Sequence, residues 1–178
     1  MKKNKILIVV LLSQLLLIGG VHAKCDFKSF PFGISHSTLV KELKLDPDLV
    51  EQNLKGAPVQ MVFAPGQKVC KNEKAFDEYV PVHFLLLYDK LVEIQIMRTA
   101  ENPELINWAE SIYGVKQDKP NSFYNLLPNA QWLWEKADFS IAYSIMSYDT
   151  NEVSESIVIQ SLNHQEYFDR FADSEVNN

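Results

Sequence analysis

An α+β fold is predicted, with an antiparallel sheet of about six strands and helices on one face. Three observations predict it. Apolar and polar residues alternate with period two over several short stretches, as half-buried strands require. Two of these stretches double back through polar turns as long hairpins. Helical signals occur twice, each ahead of three strand signals, so the order is helix, three strands, helix, three strands. Strands joined by hairpins are sequential neighbours, which makes an antiparallel sheet with helices against it the economical topology. The repeated order raises a tandem duplication of a helix-plus-three-strands unit, although no convincing residue identity links the halves.

The elements follow in chain order. In "GISHSTLVKEL", Gly33 makes a turn, Ser35 is placed as an N-cap, and Leu39, Val40 and Leu43 share a helical face. "LDPDLVEQNLKG" restarts a short helix, with Asp46 as cap, Pro47 at its first position and Gly56 at its end. "PVQMVFAPG" reads as a strand closed by a Pro65-Gly66 turn. "YVPVHFLLLYDKLVEIQIM" reads as a hairpin turning near Asp89-Lys90, with Val92, Ile94 and Ile96 facing one way and Glu93 and Gln95 the other. "ENPELINWAESIYG" is the strongest helix: Asn102 as cap, Pro103 in the first turn, Leu105, Trp108, Ala109 and Ile112 on one face, and Gly114 at the end. "AQWLWEKADFSIAYSIMSY" is a second hairpin turning between Glu135 and Asp138. "SESIVIQSL" is the last strand, Tyr167, Phe168 and Phe171 suggest a short closing helix, and residues 172–178 read as a disordered tail.

The N-terminus reads as an export signal. Lys2, Lys3 and Lys5 precede the run Ile6 to Gly20, which Ser13 and Gln14 interrupt. That run is short of the roughly 20 apolar residues a membrane span needs. Val21 and Ala23 form a small-residue cleavage pattern, so residues 1–23 are expected to be removed, leaving a single domain over 24–171. Lys24 directly before Cys25 argues against a lipid anchor there. The expected location is the periplasm of a bacterial envelope, or the medium, with no membrane span after cleavage.

Of 17 basic residues, three lysines leave with the signal, so the mature chain has 14 against 23 acidic ones. Its formal charge of −9 repels phosphate, and no polybasic stripe counters it, so nucleic acid is disfavoured as a partner. A protein partner with a basic surface fits better. The two cysteines, Cys25 and Cys70, read as one disulfide in an oxidising compartment.

The segment "GISHSTLVKEL" and the element order resemble small periplasmic helix–strand modules, among them BamE-like outer-membrane assembly lipoproteins and beta-lactamase-inhibitor-like domains. The likeness covers about a dozen residues and then the order of elements. The chain departs from the BamE pattern in lacking a lipobox and in its greater length. The resemblance implies a binding module rather than an enzyme.

Chemistry-bearing motifs are sparse. His36, His83 and His164 are scattered, without metal-ligand spacing. "FGISHS" lacks the second glycine and the preceding buried strand of a nucleophile elbow, and a helix cap explains Ser35 better. Asp89, Glu93, Glu101, Glu104 and Asp138 supply carboxylates without fixing two of them across a cleft. No Gly-rich phosphate loop or CxxC is present, and no cofactor or metal is expected. Trp132 and Trp134 share one face of a strand, with Leu133 opposite. They either cover the core, as buried Trp does, or form an aromatic platform for a partner. Ser140, Ala142 and Ser144 make a small stripe on the next strand, suited to a close-packed helix or to the floor of a groove. The expected function is non-enzymatic protein binding, as an inhibitor, immunity or envelope-assembly accessory protein. The alternatives are a small hydrolase of an envelope polymer and a carrier of an apolar ligand held between sheet and helices.

Overall fold

The computed structural model describes residues 25–27, 29–46, 57–77, 79–116, 130–147 and 152–176. The export signal 1–23, the helix expected from Pro47 to Gly56 and most of the connection 115–129 lie outside the described residues.

Helix α1 spans His36–Glu42 and strand β1 Val59–Pro65. A single helical turn, α2, follows at Gly66–Val69 in place of the simple turn expected at Pro65-Gly66. Strands β2 (Pro81–Leu87) and β3 (Lys90–Ala100) form the first hairpin. Helix α3 covers Leu105–Tyr113, and β4 (Ala130–Glu135), β5 (Phe139–Ser147) and β6 (Val153–Ser161) form the second meander. Helix α4 closes the chain at Gln165–Val176. Of the disordered tail expected over 172–178, the part to Val176 is instead helical, as the end of α4, and 177–178 lie outside the described residues.

All six strands belong to one antiparallel sheet in the order β1-β2-β3-β6-β5-β4. The two meanders meet through their third strands, β3 against β6, so strand order is symmetric about that pair. The first hairpin turns at Tyr88 and Asp89, both in the left-handed region with φ of 49° and 63°. That is the geometry whose twist matches antiparallel strands. A bulge follows: Leu85 faces Glu93 while Leu86 faces Leu91, so Val92 is the extra residue and not part of the Ile94–Ile96 row.

The core lies on one sheet face. Val62, Phe84, Ile94, Ile157, Ile159 and Tyr143 come from the strands, and Leu39, Leu105, Trp108 and Ala109 from α1 and α3. Ser35 caps α1 by accepting the backbone N–H of Thr38, and Gly114 ends α3 at a φ of 62°. Leu87 and Val92 are buried too, but outside this cluster. Helix α4 sits near the β2–β3 turn, where Tyr167 approaches Tyr88 and the Arg170 guanidinium lies 4.0 Å above the Tyr88 ring.

Cys25 and Cys70 are bonded, with Cα atoms 5.3 Å apart, and no cysteine is free. The bond fits an oxidising compartment, and it leaves the Cys25 sulfur unable to carry a lipid. It ties the N-terminal segment to the turn after α2, where the Trp108 indole N–H also donates to the Cys25 carbonyl at 3.1 Å. Among the described residues no helix is long and apolar enough to cross a membrane. The bridge closes a loop of 45 residues, and loop entropy predicts that Cys70→Ser destabilises the domain by about 3 to 4 kcal/mol. Urea unfolding of the variant beside the native protein measures this. A thiol reagent should leave the native protein unlabelled until it is reduced.

Candidate functional site

Among the described residues the second sheet face is less covered, although Leu87, on the same side of β2 as His83, is buried. Period-two alternation sends every other residue of each strand there. One row crosses all six strands: Phe63, His83, Gln95, Val158, Ala142 and Leu133. Its ends are the exposed ones, with Phe63 at 58% and Leu133 at 50% of full accessibility. Met61, Met97 and Met146 are exposed on the same face. Between these apolar rims the floor is small and polar, with Ser140, Ala142 and Ser144 on β5 and Ser154 and Ser156 on β6. Exposed large apolar side chains grouped at the rims of a sheet face are candidates for interaction.

Local contacts hold the rim residues in place. The Phe63 ring meets His83 edge-on, with centroids 4.6 Å apart. Burial lowers the pKa of His83, and a side-chain hydrogen bond with Gln95 partly offsets that. Burial raises the pKa of Glu93, farther along β3.

Tyr79 extends the surface past the end of the sheet. It is 84% accessible, the most exposed of the large hydrophobic residues among those described. The Asp77 carboxylate accepts its backbone N–H at 2.9 Å, and the Val80 N–H reaches the Asp77 carbonyl at 3.3 Å. A hollow of 590 Å³ lies beside Tyr79, lined by Pro81, Met97, Thr99 and Ser154.

The strongest polar cluster lies inside and is structural. Glu155 on β6 is 1% exposed. Its carboxylate accepts the backbone N–H groups of Glu104, Leu105 and Ile106 at 2.7, 3.2 and 3.3 Å, and the Tyr143 hydroxyl at 3.0 Å. It thereby caps α3 from a distant strand, where Asn102 was expected to act and where Glu104 makes no side-chain cap bond. Arg98 lies 3.9 Å from Glu155 and 3.4 Å from Glu104, and Lys74 also pairs with Glu104. Both carboxylates are engaged by protein groups. The pKa of Tyr143 is pushed well up by burial and by the Glu155 charge beside it.

The residues singled out from sequence are dispersed. Ser35 caps α1 with its hydroxyl near Ser37 and Thr38. His36 is buried, and its backbone N–H donates to Asp89 at 2.9 Å. His164 Nδ1 lies 2.7 Å from the Ser161 hydroxyl. The other ring nitrogen of His164 abuts Gly33, standing 2.8 Å from where a Cβ there would lie. A serine nucleophile needs a base oriented by a third group, and no acid holds this imidazole among the described residues. Nor could any group of three or more His, Cys, Asp and Glu among them hold a metal ion. Trp132 lies in the core at 8% exposure, against Tyr143. Trp134 is half-buried, and its indole N–H donates to the Lys116 carbonyl at 3.1 Å. The outward residue of that strand is Leu133. Phe63, Tyr79 and Met97 gave no signal in the sequence, because an apolar residue in a strand does not reveal which face stays bare.

Fold and surface together define an α+β protein with one face of its antiparallel sheet packed and the other open. The chain matches no known protein-family model, no curated protein and no solved structure.

Proposed function

We propose that this is an exported, non-enzymatic binding module that docks another protein on the open sheet face. The observation that carries the reading is the number of exposed large apolar side chains on that face, with Phe63 and Leu133 at opposite edges and Tyr79 beyond the end. Binding energy in protein interfaces concentrates in a few such anchors, with Tyr among the enriched types. The excess of 23 acidic over 17 basic residues favours a partner with a basic surface around an apolar centre. Inhibitor, immunity and envelope-assembly roles share this requirement. The resemblance of "GISHSTLVKEL" and the element order to small periplasmic modules points the same way.

Export with cleavage after Ala23 completes the reading. Intact mass of the periplasmic protein should correspond to a chain beginning at Lys24. The partner is sought by capture from periplasmic extract, followed by affinity measurement with the purified pair. Phe63→Ala and Tyr79→Ala should each weaken the pair by about tens-fold, the scale of anchors worth ~2 kcal/mol. Both side chains are exposed, so melting temperatures should stay near that of the native protein. Unchanged affinity in both variants would remove the open face from the interface.

A further inference from the structure

We propose that a cleft on the packed side of the sheet binds a small apolar amine, an aromatic or branched hydrocarbon body bearing a protonated nitrogen. The site is separate from the open face, and its ligand differs in kind from a protein partner. The cleft measures 440 Å³, within the range of roughly 300–1,000 Å³ typical of small-ligand sites. Ile94 and Ile159 form its floor, and Phe27, Phe30 and Phe32 of the N-terminal segment form one wall. Tyr113 and Phe139, edge-to-face at 5.6 Å, line the other side. The first wall is anchored by the disulfide and by the bond from Trp108 to the Cys25 carbonyl, so the cleft is preformed.

The polar groups of the lining choose the charge of the ligand. Asp138 takes one hydrogen bond, from the Asn163 amide at 3.1 Å. A carboxylate offers about four lone-pair sites, so room remains for an N–H donor. Asp26 also lines the cleft, and its negative charge, after burial, raises the pKa of Tyr113. His164 is the only described lining residue able to become cationic. Its Nδ1 is engaged by the Ser161 hydroxyl and its other nitrogen packs on Gly33. Among the described lining residues the carboxylates of Asp26 and Asp138 face a single imidazole, which disfavours a carboxylate or phosphate ligand. A cation gains from the Asp138 carboxylate.

Three probes of matched size separate the possibilities: phenethylamine, 2-phenylethanol and 3-phenylpropionate, titrated into the full mature protein and followed by NMR. Saturable shifts should appear at Ile94, Phe139 and Ile159, with affinity falling from amine to alcohol to carboxylate. Asp138→Asn should weaken the amine by about tenfold, the scale of a charge-assisted hydrogen bond, and leave the alcohol unchanged. A melting curve confirms that this exposed substitution keeps the fold. The proposal is overturned if the carboxylate binds as well as the amine, if Asp138→Asn affects both ligands alike, or if no probe gives saturable shifts in the cleft.

Discussion

Glu155→Ala should lower the stability of the domain by about 3 to 5 kcal/mol, the usual cost of removing one partner from a buried, paired charge. The carboxylate receives three backbone N–H groups at the start of α3 and the hydroxyl of Tyr143. Alanine strands all four donors in a site that water does not reach, and each buried donor left unmade costs about 1 to 3 kcal/mol. Relaxation of the helix end recovers part of that sum. Arg98 also loses its nearby counter-charge on β6, although Glu104 remains. Glu155→Gln keeps the shape and one good acceptor but turns an amide toward other donors, so its loss should be intermediate. Tyr143→Phe removes a single bond and should cost about 1 kcal/mol. Urea unfolding of the three variants gives the ranking. A loss below about 1 kcal/mol for Glu155→Ala, no more than an ordinary substitution, would show that the helix start does not depend on this carboxylate.

Trp132→Ala should cost a comparable amount, about 3 to 5 kcal/mol, by opening a cavity in the core. The indole packs against Tyr143 with centroids 5.5 Å apart, and its own N–H is buried without a partner among the described residues. Trp132→Phe keeps a ring in place and removes that lone donor, so it should be much milder than alanine. Leu133→Ala, one residue away on the open face, should change stability by at most about 0.5 kcal/mol. Thermal melts of the three, run beside binding assays, separate the two faces of one strand. Trp132→Ala acts on the melt and Leu133→Ala on partner affinity. A stable Trp132→Ala protein with weakened partner binding would place the interface on the packed side instead.

The six strands, both hairpins and the two large helices were legible because each announces itself locally. Alternation in "FSIAYSI" fixes which residues of β5 face inward, and the paired Trp residues of β4 follow by register. What escaped depends on contacts between distant residues. The cap of α3 comes from Glu155 on the last strand, and nothing near Asn102 or Glu104 announces it. The bulge at Val92 appears only once Leu86 is matched to Leu91 across the hairpin. The surface was the least readable part. Trp132 and Trp134 drew notice for their rarity, yet they face inward. Phe63 and Met97 look like any core residues of a strand, yet both are exposed.

The remote cap also has a consequence for the order of events as the chain is made. Synthesis delivers the first meander early, and its three strands are consecutive and joined by short-range contacts. Helix α3 emerges next, but the carboxylate that completes its first turn lies 51 residues beyond Glu104. A nascent chain halted before Val153 therefore carries a helix with open amides and a third strand with one bare edge. β6 supplies the missing partner to both at once, pairing along β3 while Glu155 meets the helix start. The two halves are thus joined by a single strand, which pairs with β3 and carries the cap of α3.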